Sequence, residues 1–130
     1  QAFPEESSPF AWLSRDAAEV AKYEADPMCG FVFTLSGYAD LMKLISRVSG
    51  EKWARRVPVG LPVYLFSGSC DPVGGMGKGV REVTGLLQQS GLQHLKMKLY
   101  HEGRHEMLNE LCRQEVYADI LEWLGRRKKV

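Results

Sequence analysis

No stretch of this chain reaches the roughly 18 consecutive apolar residues that a membrane helix needs, so no integral membrane segment is expected. Nor does the chain open on the charged-then-apolar pattern of a signal peptide. An excess of one charge is also lacking. The 17 basic and 16 acidic residues nearly cancel, which gives nucleic acid or an anionic membrane little to hold. The run Arg126-Arg127-Lys128-Lys129 resembles a basic patch, but it closes a predicted helix, where cations complement the dipole. Cysteine is sparse. Cys29, Cys70 and Cys112 are odd in number and far apart, without a C-x-x-C. A disulfide framework and a thiolate metal site are therefore disfavoured, and a reduced, cytoplasmic setting is expected. Position 1 holds Gln1 in place of methionine, so an upstream segment is expected to have been removed. Internal repeats and low-complexity tracts are missing too.

What is present suits one globular domain or a piece of a larger one. A 45% hydrophobic content over 130 residues is enough to build a core. Residues 1–10 carry Pro4 and Pro9 and read as an extended arm. AAEVAKYEAD follows as a short helix stopping at Asp26-Pro27, because a residue before proline is pushed out of helical geometry. MCGFVFTLSG is aromatic-rich and irregular. From Gly37 to Val48 the residues Ala39, Leu41, Met42, Leu44, Ile45 and Val48 recur at helical spacing, and Ser49-Gly50 ends that helix.

The second half alternates regularly. LPVYLFSG (61–68) has the nearly continuous apolar pattern of a strand buried on both faces. SCDPVGGMGKG then forms a glycine-rich loop, and a helix runs from about Val80 to Gln89 before Ser90-Gly91. LKMKLY alternates at strand period. QEVYADILEWL puts Val116, Ile120, Trp123 and Leu124 on one face of a closing helix. Strand, loop, helix, strand, loop, helix predicts an α/β unit with parallel strands and both loops at their carboxyl ends. Open α/β sheets keep their sites at that end. Asp71 in the first loop and His105 in the second should meet.

HEGRH (101–105) spells the H-E-x-x-H zinc signature, which requires both histidines on one face of a helix. Here His101 directly follows a strand, and Gly103 costs about 1 kcal/mol against alanine in a helix. No later histidine offers a third ligand; Glu106, Glu110 or Glu115 could serve, but nothing selects among them, so no metal is expected. The glycine-rich loop fits neither phosphate motif. Lys78 is followed by Gly79 where a P-loop needs Ser or Thr, and the dinucleotide spacing G-x-G-x-x-G is missing. A second reading nevertheless keeps the chain as a non-catalytic α/β module that binds a small anionic ligand at this loop.

A carboxylate against one imidazole nitrogen fixes the tautomer and leaves the other nitrogen to accept a proton. Asp71 and His105 could form that half of a hydrolase triad. On the residues alone, Asp71-Pro72 is equally a turn signal, and His105 equally a loop histidine satisfied locally.

SGSCDPVGGMGKGV, YHEGRHEMLNE and VYADILEWL resemble the C-terminal end of bacterial lysophospholipase or monoacylglycerol-lipase-like α/β-hydrolases, including the serine-aminopeptidase-like hydrolases. WLSRD (12–16) and ADPMCGF (25–31) resemble the exit from the lid of such enzymes. The resemblance implies an α/β-hydrolase C-terminal part, with residues 1–36 as the end of the lid and connector and 37–130 as core. It implies that Asp71 is the triad acid, that His105 is the general base, and that no cofactor is needed. The substrate implied is a small-molecule ester or lipid. Glu106 and Asn109 are expected to shape the histidine loop and cap the next helix, and Arg104 to pair with a surface carboxylate. One part of the pattern is missing. None of the nine serines lies in G-x-S-x-G, the elbow that presents the nucleophile. Cys70 lies on the wrong loop to replace it and is expected to be a partly buried small residue. The isolated chain is therefore expected to be inactive. With only two parallel strands, it should associate with an N-terminal part or form a homodimer through its free edges.

Overall fold

The computed structural model describes residues 2–126, so Arg127, Lys128 and Lys129 of the basic run lie outside the described residues. Arg126 pairs with Glu122 one helical turn earlier.

Helix α1 spans Ala17–Ala25, with the Asp16 carboxylate accepting from the Ala18 N–H at its start and Pro27 just past its end. Helix α2 spans Leu35–Arg47, with Thr34 Oγ1 accepting from the Gly37 N–H. Short helix α3 (Gly50–Ala54) follows directly. Strand β1 (Val63–Gly68), helix α4 (Lys78–Gln89) and strand β2 (Leu95–Tyr100) then form one crossover unit. A 3-10 turn at Met107–Asn109 and helix α5 (Arg113–Gly125) complete the described chain.

β1 and β2 pair in parallel, from Val63 opposite Leu95 to Gly68 opposite Tyr100, as the alternation of elements required. Because side chains alternate across a strand, the sheet presents two different faces. Val63, Leu65 and Leu95 pack with Ala54, Leu87 and Leu92 on one side. Phe66 packs with Tyr100, Met107 and Val116 on the α5 side. The lysines of LKMKLY face that second side, where Lys98 Nζ meets Glu115 at 2.9 Å and also Asp119. The Tyr100 hydroxyl donates to the same Asp119 oxygen at 2.7 Å and lies 3.2 Å from the Tyr64 hydroxyl. Burial, followed by the Tyr64 and Asp119 hydrogen bonds, pushes the Tyr100 phenol well above its ordinary range. Asp119, bonded to Lys98 and Tyr100, is held below the usual carboxylate range.

Four expectations need correction. The arm is not extended. Turns closed by Glu6 N–H to Phe3 O, Ala11 N–H to Ser8 O and Leu13 N–H to Phe10 O fold it onto the body. β1 is half-buried along most of its length, since two strands cannot cover both faces of each other. Leu124 is exposed, at 45%, and does not share the burial of Val116. α3 stands where Ser49-Gly50 signalled only an ending; five residues are too few to display a period. α2 is helical as its spacing predicts, yet it has no buried residue.

Candidate active site

Gly68 ends β1 and the chain turns at once into Asp71. Pro72 lacks an N–H, so the Asp71 carboxylate reaches past it and Oδ1 accepts from the Val73 N–H at 2.9 Å, an Asx turn. The Asp71 carbonyl accepts from Met76 at 2.7 Å, which closes the loop around the acid. That closure sends Gly75, Met76 and Gly77 through positive φ. The N–H groups of Gly75, Met76, Lys78 and Gly79 all donate to carbonyls of the same loop. Those four amides are spent internally and are not free to hold an anion.

The second loop leaves β2 at Tyr100. Residues 101–106 are neither helix nor strand, and Glu102 sits at φ 56°. The helix that the zinc signature needs does not form. The loop is instead stitched to the first one. Ser69 N–H donates to Tyr100 O at 2.9 Å, Cys70 N–H to Gly103 O at 2.9 Å, and Glu102 N–H to Ser69 Oγ at 2.8 Å. Where the loops cross, a side chain at Gly68 would run into the Gly103 and Arg104 backbone, while one at Gly103 would press on the tip of the Met107 side chain.

This stitching brings His105 Nδ1 to 3.1 Å from Asp71 Oδ1. Asp71 is 6% exposed, whereas the His105 side chain is 39% exposed. With Nδ1–H donating to the carboxylate, the Nε2 lone pair is left to accept a proton, the requirement for a general base. The Trp12 ring lies 5.3 Å from the imidazole at 52°. A hollow of about 310 Å³, lined by Phe66, His105, Glu106, Met107 and Leu108, opens beside the ring.

Cys70 is half-buried as expected, and its Sγ lies against Ser69 Oγ at 4.0 Å. Asn109 Nδ2 donates to Glu106 Oε2 at 2.8 Å, so these two do shape the histidine loop. They do not cap α5, whose N-terminal position is Cys112. Arg104 pairs with a carboxylate, Glu6, at 2.7 Å, but the arginine is itself buried. Its guanidinium also donates to the Ala11 and Ser14 carbonyls and stacks on Phe3 at 3.9 Å.

Two participants escaped sequence reasoning. Trp12 belongs to a stretch noticed only as a lid exit. Glu110 entered the sequence reading only as one possible third zinc ligand, yet it is fully buried. Burial pushes its carboxyl up. The N–H groups of Arg15, Arg104 and Leu111, with the Arg15 guanidinium, more than offset this and hold it below the usual carboxylate range.

A hydrogen-bonded acid and histidine, on loops at the carboxyl ends of adjacent parallel strands, define an α/β-hydrolase-type arrangement. The profile of the family described as "Serine aminopeptidase, S33" matches residues 2–112. The chain belongs to that family of α/β-hydrolases. Among solved structures it is similar to a highly thermostable carboxyl esterase from Bacillus coagulans in complex with glycerol. The TM-score is 0.84 at 33% identity, over 93% of this chain and 40% of that one. It is also similar to a lipase in an open form, with TM-score 0.86 and 27% identity over 97% of this chain and 41% of that one. The chain thus spans about 40% of the length of these structures. No curated protein matches it. No helix among the described residues is long and apolar enough to cross a membrane.

Proposed function

We propose that the chain is the C-terminal part of a serine hydrolase that cleaves carboxylic esters of the lysophospholipid or monoacylglycerol type. Asp71 is the triad acid and His105 the general base. The observation that carries this reading is the 3.1 Å contact between His105 Nδ1 and Asp71 Oδ1, with Nε2 left open. Residues 1–36 form the end of a lid and its connector, and 37–130 the C-terminal part of the core. The setting is reduced and cytoplasmic, in keeping with three free cysteines.

In the proposed reaction a serine Oγ, supplied from outside these residues, attacks the ester carbonyl while His105 Nε2 takes its proton. Asp71 orients the imidazole and stabilises its charged form. His105 then gives the proton to the departing alcohol oxygen, leaving an acyl-serine. Water repeats the sequence, with His105 as base, and releases the acid. The mainly apolar hollow beside His105 suits an acyl ester better than a charged substrate.

Without G-x-S-x-G the isolated 130 residues lack the nucleophile and are inactive. They are completed by an N-terminal part along the free edge of β1, or pair with a second copy there. Treatment with a fluorophosphonate serine probe, followed by intact-mass measurement, tests this. Label on a longer polypeptide containing these residues, with none on the 130-residue chain, is the expected result. Label on the short chain would show a reactive nucleophile among its nine serines and end the proposal.

A further inference from the structure

A general base works only if its ring is held still, and the loop carrying His105 has no helix or strand of its own. Its path is set from outside, chiefly by one carboxylate. Glu110 Oε1 accepts the N–H groups of Arg15 at 2.9 Å and Arg104 at 3.0 Å. Oε2 accepts from Leu111 N–H at 2.8 Å and from Arg15 Nε at 3.0 Å. These donors fill the four lone-pair positions a carboxylate offers.

The donors stand on either side of the base. Arg104 immediately precedes His105. Arg15 ends a strap, residues 11–15, that lies along the histidine loop. The Trp12 carbonyl accepts from His105 N–H at 3.3 Å, and the Leu13 carbonyl from Glu106 N–H at 2.7 Å. Ser14 Oγ donates to the Asn109 carbonyl at 2.9 Å. The Trp12 ring rests on the imidazole itself. Seating the strap therefore fixes the back of the ring, while Asp71 fixes its Nδ1 edge.

We propose that Glu110 is the positioning residue of His105, acting through the strap and the loop backbone, which rests on the reading of His105 as base. Glu110 touches neither His105 nor Asp71. Its charge is matched to four donors, and only a carboxylate serves all four. A glutamine of the same shape would point its NH2 group at two of them, whichever way it turned. The strap would then lift, and Trp12 with it, so the ring would lose its orientation without losing its acid.

The test uses the complete polypeptide that contains these residues. In Glu110→Gln, kcat is expected to fall about 10- to 100-fold with KM little changed, as misplacement of a reacting group predicts. The proton NMR signal of His105 Nδ1–H should shift or broaden, while the signals of His94 and His101 stay. Leu87→Ala, in the separate core cluster on the opposite face of the sheet, is a control of comparable destabilisation that leaves kcat and the His105 signal unchanged. Arg15→Leu removes one side-chain donor to Glu110, together with the Arg15–Glu102 ion pair, at a partly exposed position. It should show the same pattern more weakly, and it carries the test if Glu110→Gln does not fold. A folded Glu110→Gln or Arg15→Leu protein with wild-type kcat and an unmoved His105 signal would overturn the proposal. So would an equal loss of kcat in Leu87→Ala. Full activity in His105→Asn would instead remove the general-base reading, and the NMR signal would still judge Glu110 separately.

Discussion

Replacing Gly68 by alanine adds one carbon at the point where β1 crosses the histidine loop. That carbon would lie 2.0 Å from the Gly103 carbonyl oxygen, 2.1 Å from the Gly103 carbonyl carbon and 2.3 Å from the Arg104 carbonyl oxygen. All three are backbone atoms and cannot swing aside as a side-chain tip can. Ordinary contact begins at 3.4 Å, so the loop must retreat by about 1.4 Å. The His105–Asp71 contact is already 3.1 Å, and a shift of that size away from Asp71 takes it out of hydrogen-bond range. Overpacking costs about 1–3 kcal/mol, and a conflict between backbones belongs at or above the upper end. At about 2–4 °C per kcal/mol for a domain of 150–250 residues, Tm should fall by at least roughly 6–12 °C. Misplacement by about 1 Å costs about 10²-fold in rate, so turnover of a short-chain ester by the complete polypeptide should fall at least that far. Gly85→Ala is the matched control. Gly85 lies within α4, and nothing stands within 4 Å of the added carbon. There alanine should stabilise by about 0.5–1 kcal/mol and leave turnover alone. A Gly68→Ala protein that melts and turns over like the wild type would refute the crossing geometry.

Asp71→Asn should lower ester turnover by roughly 10³- to 10⁴-fold, because the amide favours the wrong imidazole tautomer. Stopped-flow labelling by the fluorophosphonate would slow in parallel, and an unchanged rate would remove Asp71 as the acid. Tyr100→Phe breaks the hydroxyl bridge from Asp119 to Tyr64, leaving a partly buried carboxylate with one partner fewer. Urea denaturation should show a loss of about 1–3 kcal/mol with the His105 signal unmoved. The acid limb of stability carries a further mark of Glu110. Its folded pKa lies below the ordinary 4.5, so its contribution is complete above that value and is lost as pH falls through the folded pKa. Tm measured against pH should therefore fall less steeply below 4.5 in Glu110→Gln than in the wild type, and superimposable limbs would count against a buried ionised carboxylate.

The Asp71–His105 pair was legible because topology, not proximity in sequence, creates it. The two residues are 34 positions apart, yet a strand–helix–strand unit returns both loops to the same end of the sheet. β2 and α5 announced themselves by period, β1 by its nearly continuous apolar run, and α4 by its place between the glycine loop and Ser90-Gly91, although it begins at Lys78, two residues before the expected Val80. The arm was misread because Pro4 and Pro9 suit turns as well as extended chain, and only the turn-closing carbonyls decide between them. α2 exposes a different limit. Its apolar stripe is sound evidence for a helix, but a period says which residues share a face and nothing about what covers it.

Glu110 was illegible for a more general reason. Local sequence marks a core residue by its apolarity, and a buried carboxylate inverts that sign. Its burial becomes tolerable only when donors fill it, and two of those donors come from Arg15, 95 positions away. The same distance explains why it matters. A bond within the histidine loop could only stiffen that loop, whereas one carboxylate shared by Arg15 and Arg104 places the loop against a separate piece of chain. The contacts from Ser69, Cys70 and Gly68 place it against the acid. His105 is thus located from two independent directions. That is why its pairing with Asp71 is complete within these residues, while the nucleophile it would serve is not among the motifs they contain.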